Sequence, residues 1–143
     1  MGKSTTFNND LLKLIFNATN IANLADNTAT APLTTLFMAL HTADPGVAGT
    51  QATSEATYTG YARVSVARTT GGFTAASASV TSPVAAITFP AGTAGSGTLT
   101  FFSIGVATSG ATKILYSGAI SPSIVSGNGV TPQLTTSTTI TEA

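Results

Sequence analysis

The sequence predicts a mainly β fold, a β-sandwich or jelly roll preceded by one N-terminal amphipathic helix. Short apolar stretches at near-regular spacing fill residues 33–141, and glycine or proline separates most of them, a pattern typical of sandwiches and jelly rolls. Only residues 7–24 carry apolar side chains at helical spacing. We expect a helix and arm over 1–32 and a β-sandwich over 33–143, together a single globular domain of ordinary size.

The helix is predicted from a stripe of apolar residues spaced three and four apart. Its members are Phe7, Leu11, Leu14, Ile15 and Ala18, and Leu12 and Phe16 widen it. Thr5 or Thr6 is expected to cap the helix and Asp10 to lie in its first turn, where the dipole favours an anion. So wide a stripe predicts contact on two sides, either with the chain's own sandwich or with a partner. The pattern breaks at residues 26–28.

Strands are predicted from the remaining apolar segments. Residues 33–40 form a nearly continuous apolar run that suits a buried strand, although periodicity alone leaves a helix open. Asp44-Pro45-Gly46 signals a turn, and a loop of small residues follows over 47–59. Further strands are expected at 61–68, 73–80, 84–89, 98–107 and 113–120 and in the tail 133–141. We expect 98–107, with Leu99 and Phe101 inward and Phe102 as a further inward candidate, to pair with 113–120 as a hairpin.

Charged side chains are scarce. The chain has five acidic and five basic residues, or 7%, whereas about a quarter of the residues of an ordinary domain are charged. The polar surface must therefore come from threonine, serine, asparagine and glycine, and hydroxyls cost less to bury than ions. We expect a protein that packs against copies of itself or a larger assembly. Zero net charge without a basic cluster argues against nucleic acid, and no apolar run approaches the roughly 18 residues that span a membrane.

Side chains that could carry chemistry are few. His41 is the only histidine, and Asp44 and Glu55 follow it. One interpretation is a general base or metal ligand, and the favoured one is a strand-end histidine beside a turn in which Asp44 accepts backbone donors. Cysteine is absent, which excludes thiolate nucleophiles and zinc–thiolate sites, and the nucleophile motif Gly-x-Ser-x-Gly is missing. We predict no catalytic, metal-binding or cofactor-binding residue and no enzyme.

Two arginines and two tyrosines are candidates for contacts. Arg63 and Arg68 lie five apart on one predicted strand and therefore on opposite faces. One of them is expected to pair with Glu55 or Asp44. A buried or interface arginine that satisfies several carbonyls and a solvated charge on an edge strand are both open. Tyr58 and Tyr61 are expected to pack in an interface, with a small sugar platform as the alternative.

Four segments of the sequence carry a resemblance to a known family. They are Leu-Phe-Met-Ala-Leu-His-Thr-Ala-Asp-Pro-Gly-Val-Ala-Gly over 36–49, Gly-Tyr-Ala-Arg-Val-Ser-Val-Ala-Arg over 60–68, Ile-Thr-Phe-Pro-Ala over 87–91, and the hairpin segment 97–118. In these segments the chain resembles small structural proteins of tailed bacteriophages, whose members often carry the label tail fibre protein. It is also similar to jelly-roll cement proteins of phage heads. The resemblance implies a structural role in a virion and brings no active site with it.

From these observations we expect a capsid decoration (cement) protein that binds the outer head surface, with a tail or tail-fibre component contacting the host surface as the alternative. The expected partners are the major capsid protein and copies of the chain itself, in a homodimer or homotrimer. The expected location is the virion, assembled in the bacterial cytoplasm. The residues predicted to form interfaces are Phe7, Leu11, Leu12, Ile15, Phe16, Tyr58, Tyr61 and Arg63.

Overall fold

The computed structural model describes residues 3–21, 25 and 32–143. Over these residues the chain forms one helix and eight strands, in the order α1 Thr5–Asn17, β1 Thr35–His41, β2 Val64–Ala67, β3 Val80–Thr81, β4 Ile87–Thr88, β5 Gly97–Gly105, β6 Ile114–Ser126, β7 Gln133–Leu134 and β8 Ile140–Thr141. The predicted class, mainly β with one N-terminal helix, is confirmed. Antiparallel pairing of β1 with β5, β5 with β6 and β3 with β8 is consistent with the predicted sandwich.

The N-cap of helix α1 lies one residue before the first predicted cap, Thr5. Ser4 is the N-cap, and its hydroxyl accepts a hydrogen bond from the Phe7 amide at 3.2 Å. The first turn consequently starts at Thr5 and contains no acidic residue, so the placement of Asp10 in that turn was wrong. The helix ends at Asn17 because Ala18 takes the left-handed conformation, with a φ of 53°. The predicted break at residues 26–28 lies outside the described residues.

The strands form a four-stranded sheet in the order β2-β1-β5-β6 and two small sheets, β3-β8 and β4-β7, within the described part of the chain. The hairpin of β5 and β6 is confirmed, and β6 is longer than predicted. The register shifts after Leu99, which faces Ile124, whereas Phe101 faces Ala119. This bulge changes the side-chain alternation. Leu99 and Phe102 are therefore buried, and Phe101, predicted to point inward, is only half-buried.

The predicted strand over 73–80 is mostly not a strand. Ala78 and Ser79 both take positive φ values, 51° and 64°, and close a tight turn in which Ser77 and Val80 bond each other's backbone. The segment therefore folds back on itself, with Phe73 bridging Pro83. Alternation suggested one extended strand because neither turn residue is glycine, the usual residue at positive φ. The predicted strands at 61–68 and 84–89 are shortened to β2 and β4.

The chain divides into two compact units. The first unit contains Met1–Thr35, Val66–Ile87 and Leu134–Ala143, and the second contains Leu36–Ser65 and Thr88–Gln133. Buried apolar side chains form the core of the first unit, among them Leu12, Phe16, Phe73, Ala76, Leu134 and Ile140. Those of the second unit include Leu36, Met38, Leu40, Phe89, Leu99, Phe102 and Ile104. The single domain with a boundary at residue 32 stays a prediction.

Candidate functional site

The predicted contact residues of helix α1 divide into two sets. Leu12 and Phe16 are completely buried in the first unit, where the Phe16 ring meets Phe73 edge-on with centroids 4.7 Å apart. The structure assigns these two side chains to the unit's own core. Phe7, Leu11 and Ile15 lie on the neighbouring side of the helix and are half-buried, so part of each faces outward. An interface through them stays a prediction.

The two tyrosines lie in the second unit. Their rings meet edge-on with centroids 5.4 Å apart, and Tyr61 also stacks on Phe89 at 6.3 Å. Tyr58 is buried and donates its hydroxyl hydrogen to the Pro90 carbonyl at 2.9 Å. The Tyr61 hydroxyl donates to Glu55 at 2.9 Å and accepts from the Leu40 amide at 3.1 Å. The Tyr58 ring is thus internal packing, and the pair does not present the flat exposed face that a sugar platform needs.

Arg63 forms the expected ion pair with Glu55. Its side chain is 1% exposed, and Nε and Nη2 donate to the two carboxylate oxygens at 2.7 and 2.8 Å. Such a two-point contact uses the planar fork of the guanidinium and adds geometric specificity to the charge. The hydrogen bond to Glu55 is the main cause that raises the pKa of Arg63 above its ordinary value. The buried-arginine interpretation is therefore confirmed over the solvated edge charge.

The remaining Arg63 donors bind the turn between β5 and β6. Nη1 donates to the Ala107 carbonyl at 3.0 Å and to the Thr112 hydroxyl at 3.1 Å, and Nη2 donates to the Gly110 carbonyl at 2.7 Å. Nη1 also reaches the side-chain oxygen of Gln51 at 3.2 Å. One buried cation thus joins the loop after β1 to the hairpin turn.

Gln51 continues the network to the centre of the sheet. Its Nε2 donates to the Phe37 carbonyl at 2.9 Å, and it lies 3.4 Å from the Ser103 hydroxyl. The Ser103 hydroxyl is in turn 2.7 Å from Nε2 of His41, whose Nδ1 lies 2.8 Å from the Thr53 carbonyl. A carbonyl only accepts, so Nδ1 carries the hydrogen and Nε2 of the neutral ring accepts from Ser103. We call the six side chains of this connected set the buried polar network: His41, Gln51, Glu55, Tyr61, Arg63 and Ser103.

Burial and neighbouring charges shift the pKa values of two further members of the network, His41 and Tyr61. Burial is the main cause that lowers the pKa of His41 below 6.5, and the Arg63 charge acts in the same direction. The Thr53 carbonyl and the Glu55 carboxylate oppose this effect. Burial also raises the pKa of Tyr61 above its ordinary value of 10. At neutral pH the network therefore contains one internal ion pair, a neutral imidazole and a neutral phenol.

This arrangement is built to hold segments together. A serine hydroxyl beside a histidine nitrogen is the geometry of an activated nucleophile, but Ser103 and His41 are both 0% exposed and a substrate carbonyl has no approach to them. Within the described residues, no group of three His, Asp or Glu side chains is placed to hold a metal ion. Asp44 accepts from the Gly46 amide at 2.9 Å, which confirms the turn predicted beside His41.

Arg68 has a different task from Arg63. In the first unit its Nε donates to the Ile15 carbonyl at 2.6 Å, its Nη2 donates to the Leu14 carbonyl, and its Nη1 donates to the Leu33 carbonyl at 3.1 Å. Leu14 and Ile15 lie in the last turn of α1, which has no basic residue of its own. A cation at that end satisfies orphan carbonyls and opposes the negative pole of the helix dipole.

Sequence reasoning identified Arg63, Glu55, Tyr61 and His41 but did not identify Gln51 or Ser103. Gln51 is one of only two glutamines, and it lies in a loop whose composition suggested flexibility. Gln51 could have been identified from one consideration. An arginine side chain has five N–H donors, so a buried arginine needs further acceptors besides one carboxylate, and a nearby glutamine side chain can supply one. Ser103 had no signal in the sequence. Its contact with the His41 side chain depends on the β1–β5 register, in which Ser103 faces Ala39 and His41 faces Phe101.

The comparisons with known proteins concern the whole chain. No helix in the described part of the chain is long and apolar enough to cross a membrane. No curated protein matches the sequence. The model of one protein family, described as podophage GP4 fiber I protein gp80, matches residues 2–141. Because this match covers nearly the entire chain, the protein belongs to the family of the podophage GP4 fiber I protein gp80 and is a structural protein of a bacteriophage virion.

Proposed function

We propose that this chain is a subunit of a phage tail fibre and that it contacts the surface of the host cell. The observation that carries the proposal is the family match over residues 2–141, whose description names a fibre protein. The earlier expectation of a capsid decoration protein has no comparable support. The proposal therefore adopts the tail-fibre alternative and leaves the head-surface role as the outcome that a test must distinguish.

The surface chemistry of the chain supports a role in a repeated assembly. With 7% charged residues and zero net charge, copies of the chain do not repel one another at close range. A fibre protein must bury its surface against neighbouring subunits, and hydroxyl groups lose less free energy on desolvation than ions do. We therefore propose that the fibre contains the chain as a homo-oligomer. Several copies would also strengthen host contact through avidity, even where each contact is weak.

The buried polar network suits a protein that must withstand mechanical force. A fibre transmits force between the virion and the cell, so its subunits benefit from loops that do not open easily. The donors of Arg63 fix both Glu55 and the backbone of the hairpin turn near Gly110. Such a network satisfies buried polar groups and makes a unit rigid. The proposed role is structural, and it requires no cofactor and no catalytic step.

The copy number and location of the chain test the proposal. Purified virions would be separated into heads and tails, and the chain would be quantified in each fraction by mass spectrometry with isotope-labelled peptide standards. A tail fibre predicts a handful of copies per particle that follow the tail fraction. Hundreds of copies that follow the head fraction would instead establish the decoration protein.

Host contact is tested separately. The purified chain would be added to host cells before infection, and the adsorption rate of the phage would be measured. The proposal predicts slower adsorption with increasing protein, and no effect from an unrelated β-protein of similar size. If the chain is located in the tail but leaves adsorption unchanged at saturating concentration, the fibre assignment stands and the host-contact part is wrong.

A further inference from the structure

His41 occupies the junction between a loop and the main sheet of the second unit. It is the last residue of β1, it bridges to Glu55 in antiparallel fashion, and it is 0% exposed. The segment over 50–56 closes over this end of the strand. Its backbone bonds to β1 are from the Thr42 amide to the Ser54 carbonyl and from the Ala56 amide to the Leu40 carbonyl, both at 2.8 Å.

In the neutral form of His41, both ring nitrogens form hydrogen bonds. Nδ1 donates to the Thr53 carbonyl within the 50–56 segment, and Nε2 accepts from the Ser103 hydroxyl on β5. A second ring proton would turn Nε2 into a donor. The Ser103 hydroxyl would then have to rotate, lose its acceptor and receive hydrogen bonds from both His41 and Gln51. Protonation therefore breaks the donor and acceptor pattern of the buried polar network.

The charges that face His41 do not compensate for a new positive charge. Glu55, on the 50–56 segment, is the nearby carboxylate, but Arg63 already binds both of its oxygens. Arg63 itself opposes a second cation. The neutral hydroxyl of Tyr61 donates to Glu55, and on the β5 side the group in contact is the neutral Ser103. A buried imidazolium at this position would be unpaired, and a buried unpaired charge costs a lot of free energy.

We propose that the second unit carries an acid-sensitive latch, in which protonation of His41 releases the 50–56 segment from strand β1. The open segment exposes the ring to water, where it takes a proton with the ordinary affinity of histidine. The closed segment excludes that proton. The same opening would detach Gln51 and Glu55 from Arg63, so that the hairpin turn near Gly110 loses its support as well.

The pH range follows from the pKa of His41, which burial lowers below its ordinary value of 6.5. Above pH 6.5 the ring is neutral in both the open and the closed state, and the closed state keeps its full advantage. As the pH falls below 6.5, only the open state binds the proton, so the closed state loses stability. The loss continues down to the lowered pKa of the closed state. The latch thus weakens on acidification and not on a rise in pH.

The 143-residue chain allows a direct test because His41 is its only histidine. In ¹⁵N-labelled protein, NMR of the imidazole nitrogens would give the tautomer and the pKa of this one ring without overlap. Hydrogen exchange of the Thr42 and Ala56 amides would report opening of the segment, after correction for intrinsic exchange rates. The Val84 amide of the first unit, which bonds the Gly72 carbonyl at 3.0 Å, is the internal control.

The proposal predicts a neutral ring protonated at Nδ1, a midpoint below pH 6.5, and amide protection that falls up to about tenfold per pH unit below 6.5 at Thr42 and Ala56 but not at Val84. The variant His41→Asn keeps a donor near the Nδ1 position and should make protection of the two amides independent of pH. A ring protonated at Nε2, a midpoint at or above 6.5, or wild-type protection that is constant down to pH 5 would each overturn the proposal.

Discussion

The guanidinium of Arg63 lies against the carboxylate of Glu55 in a two-point contact, with Nε to Oε1 at 2.7 Å and Nη2 to Oε2 at 2.8 Å. The arginine side chain is almost completely excluded from water, whereas Glu55 keeps 19% exposure. The chain has only five acidic and five basic residues, so this one ion pair uses a fifth of its charged side chains. The pair is the centre of the buried polar network, because Arg63 also binds Gln51 and the hairpin turn.

Removing the Glu55 charge should destabilise the second unit strongly. Glu55→Gln keeps the shape of the side chain but leaves the Arg63 cation buried without its counterion, and breaking such a pair typically costs about 3 kcal/mol of the free energy of unfolding. Urea unfolding followed by circular dichroism measures the change. Lys113→Gln, at an exposed residue, is the matched control and should stay within about 0.5 kcal/mol of the wild type. A Glu55→Gln loss no larger than that of the control would contradict this account of the network.

A methyl group at Gly105 should disturb the same network from another side. A Cβ at this position would lie 2.1 Å from the side-chain amide of Gln51, which is completely buried. Gly105→Ala must therefore displace Gln51 from Arg63, and overpacking of this kind costs about 1–3 kcal/mol. Thermal unfolding of the purified protein measures the loss. Gly71→Ala is the control, since its new Cβ would meet only the Thr69 hydroxyl at 3.5 Å; equal melting temperatures for the two variants would count against the tight contact.

Arg68 should stabilise the end of helix α1 through its bonds to the Leu14 and Ile15 carbonyls. Arg68→Ala leaves these carbonyls without their charged donor, and a hydrogen bond to a charged group is worth about 1.5–3 kcal/mol. Hydrogen exchange of the last turn of α1 should therefore become faster, and the free energy of unfolding should fall by about 2 kcal/mol. Lys13→Ala, on the same helix, is expected to change neither quantity noticeably. Unchanged protection in Arg68→Ala would show that the helix end does not depend on this side chain.

Substitutions at the adjacent residues Leu11 and Leu12 of α1 distinguish a side chain that packs in the core from one that contacts a partner. Leu12 is fully buried, so Leu12→Asp should unfold the first unit, since an unpaired charge would enter its core. Leu11 is half-buried, and Leu11→Asp should leave the circular dichroism spectrum intact while reducing incorporation of the chain into virions. Incorporation is measured by complementing a phage that lacks the gene with each variant. Normal incorporation of folded Leu11→Asp protein would remove this side of the helix from the list of contacts.

Periodicity and turn residues were sufficient to predict much of the fold. The helix, strand β1, the hairpin of β5 and β6 and the Asp44 turn all follow from local patterns that the structure keeps. What failed depended on nonlocal or unusual backbone geometry. The bulge after Leu99 buries Phe102, the further inward candidate, and leaves Phe101 only half-buried. Positive φ values at Ala78 and Ser79 turned a predicted strand into a hairpin.

The candidate site was predicted only in part, for a similar reason. Because charged residues are scarce, Arg63 and Glu55 stand out in the sequence. Their pairing could be expected because they are only eight residues apart. The contacts of Arg63 with Ala107 and Gly110 could not, because they join segments more than 40 residues apart whose proximity depends on the sheet register. The position of Ser103 beside His41 depends on that register as well.

Labelling of intact virions tests the central claim most directly. Antibodies against the purified chain would be bound to whole particles, coupled to gold and located by electron microscopy. Assignment to a tail fibre predicts gold on the appendages at the tail, with head surfaces unlabelled. Gold distributed evenly over the head shell would contradict it and would return the chain to the role of a capsid decoration protein.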